Sequence, residues 1–126
     1  MSKQPVSISA YQEVITTVSR YVEAVRSGSV DGLKETFKSD SVTYGFVGGE
    51  LLGGAGNPTI KFIEAYGKSS ELESHIDVLD MTPVTAVVRL MTEKDAIGTD
   101  CCEYLTLVKG DQGWVIISKA FLQFDK

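Results

Sequence analysis

The chain has one histidine, one asparagine, two cysteines and three prolines among its 126 residues. Each shortage removes a class of function. A single histidine, His75, cannot build a multi-histidine metal centre. Only Glu73 and Asp77, which share its side of a strand by parity, stand near it as further ligands. The one asparagine, Asn57, is followed by proline, so there is no N-glycosylation sequon. Cys101 and Cys102 are adjacent and on a strand would point to opposite faces, so a bridge between them would be strained. They read as small apolar strand residues in a reducing compartment, which makes the cytoplasm the expected location. The start, MSKQPVSISAYQ, has no apolar signal-peptide core. No apolar run approaches the ~20 residues of a membrane span. Basic residues are scattered, 12 Lys and Arg against 17 Asp and Glu, for a net charge of −5. That balance argues against nucleic acid or an anionic membrane as partner, since both require clustered positive charge.

Glycine is abundant in one place. Half of the 12 glycines fall in YGFVGGELLGGAG, Tyr44 to Gly56. Gly48 and Gly53 have phosphate-loop spacing, but Gly54-Ala55 follow where a lysine would be needed. The dinucleotide pattern Gly-x-Gly-x-x-Gly is absent from the run as well. The run reads as a hairpin turn at Gly48-Gly49 and a tight approach to a helix. Backbone N–H groups at that helix start remain open to an anion, with Glu50 nearby opposing one.

Periodicity supplies the rest of the outline. Tyr11, Val14, Ile15, Val18, Tyr21, Val22 and Val25 form an apolar helical stripe, with Ser9 and Gln12 at capping-box spacing and Gly28 at the end. Ser29 caps a second helix with Val30, Leu33 and Phe37 on one face, broken at Asp40-Ser41. From Ser41 the period is two: Val42, Tyr44 and Phe46 mark a strand, and Glu50-Leu51-Leu52 a short return strand. Asn57-Pro58 starts a third helix carrying Ile60, Ile63, Phe62 and Tyr66, ended by Gly67. Strands follow at 71–80, 84–92, 99–108 and 114–124. The order α-α-β-β-α-β-β-β-β indicates an α+β domain with a mostly antiparallel sheet.

With that order, several stretches resemble the nuclear-transport-factor-2-like superfamily, which includes SnoaL-like and ketosteroid-isomerase-like proteins. They are YVEAVRSGSVDGLKETF from Tyr21, Asp40-Ser41-Val42, Gly45-Phe46, Gly49-Glu50-Leu51, Val87-Val88-Arg89, EYLTLVK from Glu103 and WVIISKAF from Trp114. The chain is most similar to the subgroup named for lumazine binding; one departure is Lys38-Ser39-Asp40, where members often show His-Pro-Asp. The resemblance implies a cystatin-like cone: three helices packed in the concave face of a strongly curved, mostly antiparallel mixed sheet. It implies one domain over 1–126, with 1–8 as a loosely ordered tail. It also implies a homodimer through the open sheet face, where Arg89 interrupts an apolar strand. No cofactor and no metal are expected.

The cone implies a ligand cavity, with Tyr21, Phe37, Tyr44, Phe62, Tyr66, Glu103, Lys119 and Phe121 as candidate lining residues. The resemblance places Tyr21 near the oxyanion-stabilising tyrosine of related isomerases, although the helical stripe already accounts for it as a core residue. The isomerases' aspartate base corresponds to Gly45, so their mechanism is not expected here. Taking Lys109 opposite Gly113, Glu103 faces Lys119 and Cys101 faces Phe121. The Glu–Lys pair then sits either in the pocket or on the outer face. The functional expectation is a small-molecule-binding domain for a heteroaromatic, pteridine-like metabolite. The alternatives are a cofactor-independent lyase, isomerase or hydrolase, and a non-catalytic dimeric module with a filled cavity. Which residues would be catalytic is left open.

Overall fold

The computed structural model describes residues 5–126. Ser7, rather than Ser9, caps the first helix: its hydroxyl accepts from the Ala10 N–H at 3.2 Å. The chain then runs α1 (Ile8–Ser27), α2 (Val30–Thr36), β1 (Phe37–Val47), β2 (Glu50–Ala55), α3 (Pro58–Tyr66), β3 (Glu73–Met81), β4 (Thr85–Glu93), β5 (Cys101–Gly110) and β6 (Gly113–Gln123). Of the tail expected at 1–8, residues 1–4 lie outside the described residues, and Ile8 already belongs to α1. Within α1, Val14, Val18, Tyr21 and Val22 are buried as the stripe requires. Tyr11 and Ile15 are about 40% exposed, on a side of the first two turns that the other described residues leave open.

The second helix ends earlier than its periodicity indicates. Phe37 is its C-cap and the first residue of β1, so Lys38, Ser39 and Asp40 are strand, not helix. Asn57 caps α3 as expected, its side chain accepting from the Thr59 N–H at 3.2 Å, with Pro58 in the first turn. The glycine run is a hairpin. Gly48 and Gly49 turn with φ of 58° and 80°, a mirror-image turn that glycine adopts without strain. β2 continues to Ala55, so Gly53 and Gly54 belong to the return strand and not to a phosphate loop.

The six strands form one open, curved sheet in the order β2-β1-β6-β5-β4-β3. β1 pairs in parallel with β6, and every other pair is antiparallel. The helices cover one face. There Val88, Leu90, Leu105, Leu107 and Ile116 join Val14, Val18, Val22 and Leu33 in one core, each below 5% exposure. No helix among the described residues is long and apolar enough to cross a membrane.

The register of the last strand pair departs from the sequence reading. The last hairpin turns on Asp111-Gln112 with Gly110 opposite Gly113, one residue tighter than Lys109 opposite Gly113. Continued unbroken, that register would send Lys119 to the face opposite Glu103. Instead the pairing shifts between Leu107↔Ile116 and Thr106↔Ser118, leaving Ile117 as an extra, bulged residue. The bulge restores the parity. Lys119 now pairs with Leu105, and Phe121 rather than Lys119 stands opposite Glu103. Cys101 pairs with Gln123, not Phe121.

On β1 the inward residues are the small ones. Ser41, Thr43 and Gly45 are buried, while Val42, Tyr44 and Phe46 point away from the helices. The apolar half of the strand therefore forms part of the open outer face.

Candidate functional site

Residues that pair across neighbouring strands share a face, so the inner face divides into transverse rows. Thr92, Cys101 and Gln123 form one row at the ends of β4 and β6. Leu90, Glu103, Phe121 and Gly45 form the next, followed by Val88, Leu105, Lys119 and Thr43. Thr92, Cys101 and Gln123 of the first row, Leu90, Glu103 and Phe121 of the second, and Lys119, together with Tyr21, Val22 and Val25 of α1 and Pro58, Thr59 and Phe62 of α3, line a cavity of about 280 Å³. That is near the small end of the usual range for small-molecule sites, ~300–1,000 Å³. The side chains of the described residues do not fill it.

Three ionisable groups and a hydroxyl meet at one wall. The Tyr21 hydroxyl donates to Glu103 Oε1 at 2.7 Å. Lys119 Nζ donates to Tyr21 Oη at 2.9 Å and to Thr59 Oγ1 at 3.0 Å, and lies 3.5 Å from Glu103 Oε1. Glu103 and Lys119 are 6% and 8% exposed. The Lys119 ammonium also sits 5.5 Å from the Tyr21 ring centroid and 5.3 Å from that of Phe121, within cation–π range. Burial, then the adjacent Glu103 charge, pushes the Tyr21 phenol well above its ordinary value, so it remains a proton donor in the physiological range. Glu103 Oε1 is thus held by Tyr21 and Lys119, and among the described residues no hydrogen bond is made to Oε2. A carboxylate anchored through one oxygen, with the other unengaged on a mostly apolar cavity wall, has the geometry of a general base.

Of the eight candidate lining residues, Tyr21, Phe62, Glu103, Lys119 and Phe121 line this cavity. The other three do not. Phe37 is buried beneath the site, its ring edge-on to Tyr21 with centroids 4.9 Å apart. Tyr44 is half exposed on the outer face because β1 turns its small residues inward. Tyr66, at the last turn of α3, is 56% exposed and packs on Phe62 with centroids 5.0 Å apart. Thr59 was not legible as a site residue: a threonine two places after a helix cap reads as part of the capping segment. Only the packing of α3 against β6 brings its hydroxyl to Lys119.

The remaining candidates fall outside the cluster. Cys101 lines the cavity, but burial and the Glu103 charge push its thiol up to about 12, which leaves it a poor nucleophile at neutral pH. His75 is exposed on the outer side of β3 and lies 3.0 Å from Asp77. Asp77 also faces Arg89 at 3.8 Å. No group of three metal-ligating side chains occurs among the described residues.

Comparison with known proteins places the chain in a family. The family model described as "Putative lumazine-binding" matches residues 9–122. The chain belongs to this family. Aldolase FrzH from Cladobotryum sp is similar to it at 36% identity over 121 residues, covering 96% of this chain and 97% of that protein. Among solved structures, an NTF2-like protein of unknown function from Methylobacillus flagellatus KT matches with a TM-score of 0.89 at 21% identity, over 99% of this chain and 100% of that one. A second NTF2-like protein of unknown function, from Shewanella baltica OS155, matches at 0.86 and 20% identity, over 98% and 100%. These likenesses establish the NTF2-like cone for this member of the lumazine-binding family, as its motifs implied.

Proposed function

We propose that this protein binds a small carbonyl compound in the cone and catalyses proton transfer at the carbon next to the carbonyl, leading to aldol-type bond formation or cleavage. The observation that carries this reading is the Tyr21–Glu103–Lys119–Thr59 cluster on the cavity wall. Glu103 Oε2 removes the α-proton. Lys119 and Tyr21, the cation and the hydroxyl beside it, activate the carbonyl for that proton loss. The similarity to a protein named an aldolase supports this reaction class. The mostly apolar lining, with Phe62 and Phe121 among it, suits a flat or aromatic substrate body, which keeps a heteroaromatic ligand within the proposal. The two free cysteines fit a reducing compartment such as the cytoplasm.

The test is exchange of α-protons for deuterium, followed by proton NMR, over a panel of aliphatic, aromatic and pteridine-type carbonyl compounds. Wild-type protein is expected to accelerate exchange of at least one member. Glu103→Gln, checked for folding by circular dichroism, should lose ~10²–10⁴-fold of that rate. Binding of panel members with no exchange above background would remove catalysis and leave a ligand-binding protein.

We further propose a homodimer through the outer sheet face. Val42, Tyr44, Phe46, Leu51, Val87, Tyr104 and Leu122 share that face by register, and each is 39–58% exposed. A run of large apolar side chains across five strands is the kind of surface that a second copy covers. Sedimentation should give twice the monomer mass for the wild type and the monomer mass for Tyr44→Glu. A wild type that stays monomeric at tens of micromolar would dispose of the dimer.

A further inference from the structure

We propose that Lys119 holds the substrate covalently, as an iminium formed between its Nζ and the substrate's carbonyl carbon. This rests on the carbonyl chemistry proposed above and assigns the group that activates the carbonyl. Among the described residues Lys119 is the only buried lysine and the only cationic side chain lining the cavity. Its nitrogen does not stand against one counter-ion in a simple pair. A carboxylate oxygen at 3.5 Å, a phenol oxygen at 2.9 Å and a threonine hydroxyl at 3.0 Å converge on it. A nucleophilic lysine needs this surrounding: a base that takes its proton, a donor that protonates the departing oxygen, and apolar walls that do not favour the ammonium. Val22, Val25 and Leu90 supply those walls. An arginine would serve as well or better as a fixed counter-charge for Glu103, but only lysine can give up its proton and attack.

The step balances with the groups present. Glu103 takes one proton from the Lys119 ammonium, leaving a neutral amine. The nitrogen lone pair forms a bond to the carbonyl carbon as the C=O π pair moves onto oxygen. That oxygen receives the proton from Glu103, relayed through Tyr21, and the nitrogen passes a second proton to Glu103, giving the neutral carbinolamine. Its C–O bond then breaks, the hydroxyl leaving as water with the second proton from Glu103, and the nitrogen lone pair forms the C=N bond. Ammonium plus carbonyl thus becomes iminium plus one water, with Glu103 returned as carboxylate and no oxidant or reductant required. Glu103 next removes the α-proton to give an enamine, the carbon nucleophile of an aldol addition. Water hydrolyses the product iminium and restores the ammonium.

Acetylacetone is the probe, because a 1,3-diketone that condenses with a lysine amine is trapped as a conjugated enaminone with its own near-ultraviolet absorption. The wild type is expected to gain that band and the mass of one diketone less one water, mapped by peptide sequencing to Lys119. Lys119→Arg, which keeps the charge and cannot form an iminium, should gain neither the enaminone band nor a mass of one diketone less one water at position 119, and its α-proton exchange should fall to the uncatalysed rate. Exchange by the wild type without an adduct at Lys119 would overturn the iminium while leaving the carbonyl chemistry standing. Exchange retained within a few-fold by Lys119→Arg would overturn it too. An adduct at Lys119 with no exchange on any panel member would support the nucleophile and count against turnover. The adduct measurement is made on wild-type protein, so it does not depend on a variant folding.

Discussion

Glu103→Leu is expected to lower the unfolding free energy by about 3–5 kcal/mol, the effect of stranding one charge of a buried pair. Lys119 would remain 8% exposed with its carboxylate gone, holding only the Tyr21 and Thr59 oxygens. The loss should sit at the lower end of that range, because the pair lines a cavity that water can enter. The companion variant Glu103→Leu/Lys119→Met removes both charges and should recover most of the stability, since an apolar pair of similar volume is often neutral or stabilising. Urea unfolding of wild type, both single variants and the double variant closes the cycle. Equal losses for the double and the single Glu103 variant would mean that Lys119 is not paired with Glu103 in solution. A cluster that costs stability to bury and is replaceable by hydrocarbon is one maintained for chemistry and not for folding. The recovery in the double variant is therefore also an argument about function.

The second large effect is expected at Gly45. A Cβ built there would fall inside the Phe121 ring, against its Cγ, Cδ1 and Cε1. Gly45→Ala should destabilise by about 1–3 kcal/mol through overpacking and should displace Phe121 from its place on the cavity wall. In a Phe121→Ala background the same substitution should cost far less, and urea midpoints for the four proteins measure the difference. Equal losses in both backgrounds would mean that Gly45 is required for some other reason. The clash bears on mechanism as well. Gly45, Phe121 and Glu103 are successive partners across β1, β6 and β5. The Phe121 ring lies over Gly45, so this strand position has no room for a side chain. A carboxylate stands two strands away in the same row.

The pattern in which residues were legible follows from what one-dimensional information contains. Tyr21 was readable because a helical stripe fixes its side of α1. Glu103 was readable as a same-face neighbour of Leu105 and Leu107, whose burial identifies the inner side. Tyr44 was misplaced for a specific reason. Alternation identifies Val42, Tyr44 and Phe46 as one face, but it does not say which face meets the helices. Thr43 beside Lys119 and Gly45 beneath Phe121 leave no room for large side chains inside, so the bulky set turns outward. Tyr66 was misplaced because α3 buries only Thr59 and Ile63 and touches the site through its first turns. Thr59 carried no signal that separated it from a capping residue.

Sequence alone determined the element order, the caps at Asn57 and Gly28, the hairpin at Gly48-Gly49 and the family, since these depend on local backbone preferences and periodicity. It also determined that Glu103 shares its strand face with Leu105. The joining of Glu103 to Lys119 was decided only by the tertiary structure. The two-residue turn at Asp111-Gln112 would have placed them on opposite faces, and the single bulged residue Ile117 brought them back to one. A bulge is set by the curvature that the closing sheet must adopt over its helices, a property of the whole packed cone that no window of the last two strands contains.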